Sequence, residues 1–220
     1  MLKNATSFDF LAYLATGNGH GDQLPSLEAL SAQHGVSISV LREQLQVARA
    51  LGLVEVRPRT GIRRLPYSFA PAVRESLSYA MARDRHSFDQ FADVRRHLER
   101  AYWFEAVEKL TREDVAHLRE LVERADEMLH GPPVRVPHAE HRELHLTIFR
   151  HLGNPFVLGL LEAYWSAYEA VGLSRYAGLK YLEQVWDMHR RIVKAIEEGD
   201  FASGHQVLNE HFELIDKRPE

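Results

Sequence analysis

Two glycines, Gly35 and Gly52, divide a stretch whose apolar spacing changes from helical to alternating, and this sets what residues 24–65 can become. Pro25-Ser26 reads as a helix start, with a short helix running to about His34 and Leu27, Leu30 and Val36 on its apolar side. Gly35 ends that helix and Ser37 can cap the next, where Leu41, Leu45 and Ala48 fall at i, i+4 and i+7 on one core-facing stripe. Ile38, Arg42, Gln46 and Arg49 share a different face, and Gly52 stops the helix as a C′ residue. Beyond it, Leu53 to Val56 is β-prone, Arg57 to Gly61 is a turn and Ile62 to Leu65 can return as the partner strand. Two helices, a short turn and a basic-tipped hairpin make a winged helix-turn-helix.

The rest of the chain carries a different pattern. Pro66 to Pro71 reads as a linker, which predicts domains at residues 1–66 and 67–220. Helical periodicity then recurs over about 73–82, 87–109, 112–130, 138–151, 155–173, 178–198 and 201–216. Thr111 and Asp114 form a capping-box pattern, Gly153-Asn154-Pro155 is a break, and Gly199-Asp200 ends one helix and caps the next. With no further strand signal, the predicted fold class is mainly α: a winged helix-turn-helix followed by an all-α antiparallel bundle.

Charge separates the two parts. The net charge of −4 over 220 residues says little about DNA, but residues 1–66 hold Lys3, Arg42, Arg49, Arg57, Arg59, Arg63 and Arg64 against five acidic residues. The remainder holds 20 basic and 26 acidic residues, from totals of 27 and 31. A basic patch on a winged module suits phosphate, with the second helix entering the major groove and wing arginines reaching the backbone or minor groove. Ser37, Ser39, Arg42, Arg49, Arg59 and Gly61 are the candidate DNA contacts. Because the chain contains no cysteine, a metal would need nitrogen and oxygen ligands. No apolar run reaches membrane-spanning length and the first residues show no export signal, so a cytoplasmic protein without membrane contact is expected.

Histidine is unevenly placed, with eleven of 13 beyond Pro66. His141 and His145 lie at i and i+4, so both project from one helix face and can share an ion. His189 and His211 stand about equally far from the Gly199-Asp200 turn, so an antiparallel pair of helices would bring them level. His117, His130, His138 and His151 are read as ordinary surface or core histidines.

Residues 24–65 resemble the DNA-binding domain of the GntR family: Leu24-Pro25-Ser26, Gly35-Val36-Ser37, Arg42-Glu43, Leu45, Gly52-Leu53-Val54, Arg57 and Gly61 match its pattern. Two arginines that often touch DNA in the family are replaced here by Glu28 and Ile38. The runs His189 to His211, His141 to Pro155 and Val94 to Val122 resemble the FadR-like ligand-binding domain, known as FCD. In metal-binding members an aspartate and three histidines hold one divalent ion. The resemblance carries the histidines onto His145, His189 and His211, and His141 stands where the family has the aspartate.

What the resemblance implies is a homodimeric transcription regulator, not an enzyme, that binds a near-palindromic double-stranded DNA operator. Its cofactor would be a divalent transition ion, zinc or nickel foremost, since imidazole suits these better than magnesium or calcium. The effector would be a small carboxylate, with Arg95 as a second anchor. Tyr164, Trp165, Tyr168 and Trp186 are candidates to line the cavity, although aromatic residues at helical spacing are more often plain core. The competing role for Arg95 is a surface salt bridge with Glu99 at i+4. Two rival readings are a metal-dependent helical-bundle enzyme and a metal-free regulator that binds an acyl or CoA-type effector.

Overall fold

The computed structural model describes residues 8–16, 21–171 and 178–216. Lys3 of the basic tally and the last two residues of the predicted helix 155–173 lie outside them. The chain divides into two compact units, Met1–Glu75 and Ser76–Glu220.

The first unit contains α1 (Phe10–Ala15), α2 (Leu27–His34), α3 (Ile38–Ala50), β1 (Val54–Arg57) and β2 (Gly61–Arg64). Ser26 accepts the Ala29 N–H and Ser37 accepts the Val40 N–H, so both expected caps form. Gly52 follows α3 at φ 69°, and a Cβ there would lie 2.5 Å from Pro71 Cγ. The Leu53 N–H donates to Ala48 O at 2.9 Å, which turns the chain out of the helix and into β1. β1 and β2 pair antiparallel, Val54 with Arg64 and Arg57 with Gly61. An additional edge comes from Asp22 to Leu24, where the Leu24 N–H donates to Ile62 O and the Arg64 N–H to Asp22 O. The core stripe Leu41, Leu45 and Ala48 is buried together with Phe10, Leu30, Val54 and Ile62.

Helix α1 was not foreseen. It has only six residues and is held from outside its own sequence. Gln44 on α3 accepts the Phe10 N–H and donates to Phe8 O, both at 2.8 Å. The expected linker is also shorter than its prolines suggest. Helix α4 (Ala70–Arg83) begins before the predicted residue 73, with Pro71 in its first turn, where the missing N–H has no helical partner to lose.

The second unit packs α5 (Ser87–Val107), α6 (Arg112–His130), α7 (His138–Phe149), α8 (Pro155–Val171), α9 (Leu179–Glu198) and α10 (Phe201–Asp216). α9 lies against α10 and α6; α7 touches α5, α6 and α8; α5 also meets α8 and α10. Thr111 and Asp114 make the full capping box at the start of α6. Gly199, at φ 72°, closes α9, and the Asp200 carboxylate accepts the Ser203 N–H to open α10. The main core runs from Trp103 through Leu118, Leu144 and Ile192 to Phe212. Among the described residues no helix is long and apolar enough to cross a membrane.

Candidate functional site

Arginines occupy the outer surface of the winged unit. Ser37, Ser39, Arg42, Arg49, Arg59 and Gly61 are all exposed. The Ser37 oxygen is engaged by the Val40 N–H, and the Arg49 guanidinium donates to Gln46 at 3.2 Å. Arg57 pairs with Glu55 at 2.9 Å, and Arg63 lies within 4 Å of both Asp22 and Glu55. Arg42 and Arg59 have no salt-bridge partner among the described residues, so their charge stays available to an outside anion. Arg59 sits at the hairpin tip with φ 69°, a left-handed conformation uncommon for a residue with a side chain. Glu28, in place of a family arginine, has its carboxyl held below the usual range by local hydrogen bonding and, to a smaller extent, by Arg42.

In the helical unit the four singled-out histidines meet. His141 and His145 come from α7, His189 from α9 and His211 from α10, and one ring nitrogen from each lies within 4.8 Å of all the others. His145 Nε2 is 3.2 Å from His189 Nε2. The His189 and His211 rings are 4.5 Å apart, as expected of residues level across the Gly199-Asp200 turn. His145, His189 and His211 are 1% exposed or less. His141 keeps some residue surface open, although its Nε2 is buried. His141 Nε2, His189 Nδ1 and both His211 nitrogens have no hydrogen-bond partner.

Burial disfavours the charged form of all four rings. His141, His145 and His211 fall well below the ordinary histidine range, for this reason first and then through Arg95 and neighbouring histidines. His189 is lowered to about 3 by burial and by Arg95, with Glu99 opposing. Neutral imidazoles are the form that binds a metal. Four nitrogens at about 2.0–2.1 Å from one ion stand roughly 3.3–4.2 Å apart, depending on geometry, so rings whose nitrogens lie within 4.8 Å of one another close onto an ion by side-chain shifts on the order of 1 Å. The donor set therefore fits a divalent transition ion.

Arg95 and Glu99 sit beside the cluster and are 3% and 0% exposed. The guanidinium donates to both carboxylate oxygens, at 2.7 and 3.2 Å. This is the i+4 pair expected from the sequence, but it lies in the interior and not at the surface. Burial pushes Glu99 upward and Arg95 pulls it back, while Glu99 keeps the buried Arg95 charged against its own desolvation. Glu99 Oε2 also lies 3.0 Å from His145 Nδ1. With the Nδ1 proton directed to that carboxylate, His145 presents Nε2 to the cluster, the arrangement in which an outer carboxylate fixes a ligand's tautomer. Arg95 Nη2 stands 3.1 Å from the same Nε2, so guanidinium and ion would compete for that lone pair.

The four aromatic side chains lie beside the cluster, where Trp186, Tyr164 and Trp165 also belong to the hydrophobic core. The Trp165 ring is 4.7 Å from His141, Trp186 is 4.9 Å from His189 and Tyr168 is 6.0 Å from His141. Tyr164 lies under the Arg95 guanidinium at 4.8 Å. Trp165 Nε1 is buried without an acceptor. His151 is instead engaged by Asp114 at 2.8 Å and His117 lies 3.6 Å from Glu143, both outside the cluster. Glu143 itself pairs with Arg150. Sequence reading missed Glu99 as a partner of His145; its only signal was the i+4 spacing to Arg95.

A winged helix-turn-helix with free arginines, joined in one chain to a helical unit with a buried polar site, defines a DNA-binding transcription regulator with a separate helical domain. Residues 16–63 match the family model for bacterial regulatory proteins of the gntR family, and residues 90–214 match the FCD domain model. The chain belongs to the GntR family of transcription regulators, in the group that carries a C-terminal FCD domain. It is 26% identical over 209 residues to the HTH-type transcriptional regulator LutR of Bacillus subtilis, covering 89% of this chain and 90% of that protein. The Uxu operon regulator of Haemophilus influenzae is 24% identical over 202 residues, covering 89% of this chain and 73% of that protein. Among solved structures, Streptococcus agalactiae GntR superposes with a TM-score of 0.70 at 20% identity, covering 94% of this chain and 95% of that one. These relatives are regulators, which sets aside the enzyme reading of the four histidines.

Proposed function

We propose that this regulator binds a near-palindromic operator as a homodimer and that a small carboxylate effector tunes its affinity at a divalent transition ion, zinc or nickel. The ion would be held by His141, His145, His189 and His211 and would supply a Lewis-acidic centre for the effector's oxygen. The observation that carries this reading is the convergence of four buried, neutral imidazoles, three of which have ring nitrogens without a partner. Buried polar groups are nearly always satisfied, so these nitrogens call for a ligand. Glu99 orients His145, and the aromatic side chains exclude water from the cluster. A dimer presents two α3 helices to half-sites about one helical turn apart. Effector changes operator occupancy only insofar as it favours one DNA-binding geometry over another.

The test is metal analysis of protein purified without chelator or affinity tag, followed by zinc or nickel titration with melting as readout. One ion per chain and a raised melting temperature are expected. Metal-free protein whose melting ignores both ions would leave the metal-free reading, with an acyl or CoA-type effector. Sedimentation should give about twice the 25.3 kDa chain mass. A strict monomer, with and without operator, would remove the two-headed docking.

A further inference from the structure

We infer that the four-histidine site selects a doubly charged oxyanion, a dicarboxylate or a phosphate, over a monocarboxylate. This deepens the metal-site reading proposed above and rests on it. All four ring ligands are neutral, so an ion held by them keeps its full +2. Besides one another, the charged side chains that act on these rings among the described residues are Arg95 and Glu99. Those two are joined by a bidentate pair at 2.7 and 3.2 Å and cancel each other. Among the described residues no carboxylate is left to neutralise the ion.

Uncompensated charge in a dry interior is costly, and the cost falls as the ligand's charge approaches that of the ion. A monocarboxylate would leave +1 in the cluster, whereas a dianion leaves none. The site also offers a donor for a second oxygen. Trp165 is 1% exposed, its ring lies 4.7 and 5.1 Å from His141 and His145, and its indole N–H has no acceptor. A carboxylate in place of His141 would remove one unit of positive charge and bring the preference back toward monoanions.

The experiment uses the full-length chain loaded with zinc, with stoichiometry measured first. Binding of malonate, of its monoamide malonamate and of inorganic phosphate is then compared by calorimetry at pH 7.5. Malonate and malonamate have the same length and differ by one charge. Malonate is expected to bind at least tenfold more tightly than malonamate, and in His141→Asp that ratio should shrink severalfold. The phosphate arm identifies the source: phosphate tighter than malonate assigns a phosphate ligand, and the reverse assigns a dicarboxylate. Equal binding of malonate and malonamate in the parent chain, or no binding of either dianion, overturns the inference while leaving the metal site standing. So does an unchanged ratio in His141→Asp. Should that variant not fold, the malonate and malonamate comparison in the parent chain decides alone. Failure to load zinc removes the metal reading itself, and this inference with it.

Discussion

The two units place their polar chemistry in opposite locations. In the winged unit the buried residues are apolar, from Phe10 through Leu41 to Ile62, and the charged groups lie outside on α3 and the hairpin. In the helical unit Arg95, Glu99, Asp114, His145, Thr147, His189 and His211 are all buried, and among the described residues no polar side chain of the winged unit is classed with them. A surface that reads DNA needs charge facing water and phosphate, and its core can be optimised for packing alone. A site that recognises a small molecule must draw polar groups inside, where each costs free energy until it is paired. Stability of the helical unit should therefore depend on solution conditions in ways that the winged unit's does not.

Acid should reveal this most strongly. In the metal-free chain the four histidines stay neutral when folded, with His189 near 3 and the others well below their ordinary value. Unfolded, they bind protons near pH 6.5. Their folded pKa values are lowered, so stability is full above about 6.5 and is lost as pH falls below it, when only the unfolded chain takes up protons. Each ring contributes up to about 1.4 kcal/mol per pH unit, and the four together on the order of 5 kcal/mol. The buried charges facing them are Arg95, which deepens the effect, and Glu99, which opposes it at His189. All three tryptophans, Trp103, Trp165 and Trp186, lie in the helical unit, so urea unfolding followed by tryptophan fluorescence reads it selectively. A free energy that is flat between pH 7 and pH 5 would contradict the burial described here.

Zinc should act in the opposite sense and by a comparable amount. An ion that binds only the folded state at a thousand times its Kd stabilises it by about 4 kcal/mol. His211→Ala should abolish that gain. The quantity to read is the difference between zinc and chelator in each protein, because the substitution also alters packing around a fully buried ring. If the variant gains as much from zinc as the parent, His211 is not a ligand.

How far the sequence disclosed this site depends on the kind of contact involved. The pairing of His141 with His145 follows from helical period, and the level placement of His189 and His211 from equal distance to one turn. Both are local geometry and both appear in the structure. Gly52, Ser26, Ser37 and the Thr111 capping box were legible for the same reason. The link from Glu99 to His145 was not, since it spans 46 residues and depends on how α5 packs on α7. Helix α1 escaped because six residues give too little periodicity, and its anchor, Gln44, lies on α3. The fold class was thus readable from pattern, whereas the buried ion pair beside the cluster needed the tertiary structure.

In the winged unit the expected effects are smaller and fall on DNA binding. Arg42 and Arg59 lack salt-bridge partners among the described residues. If Arg42 reads a guanine edge, Arg42→Ala should cost about 1–3 kcal/mol and relax specificity at one position per half-site. Arg59→Ala should weaken all sequences alike and flatten the salt dependence, the mark of a phosphate contact. Competition binding on an operator obtained by selection, over a range of salt, distinguishes the two. Unchanged affinity in both variants would remove this surface as the docking face.

The smallest effect concerns Ser37, which has two candidate roles at once. Its oxygen accepts the Val40 N–H at 3.3 Å and so caps α3, yet the residue is exposed at the N-terminal end of the helix proposed to enter the major groove. The hydroxyl hydrogen is not used by the cap and can still be donated to a phosphate oxygen. Replacing a serine cap by alanine costs about 1 kcal/mol, whereas glycine in that position costs only a few tenths. Ser37→Ala should therefore lower stability measurably and Ser37→Gly hardly at all. Both remove the hydroxyl, so a direct phosphate contact predicts equal losses of operator affinity in the two variants. If affinity follows stability instead, falling in Ser37→Ala and not in Ser37→Gly, the hydroxyl serves the helix alone. Far-ultraviolet circular dichroism during melting, with operator titration of the same preparations, separates these outcomes. Tryptophan fluorescence would miss the stability change, because no tryptophan lies in the winged unit.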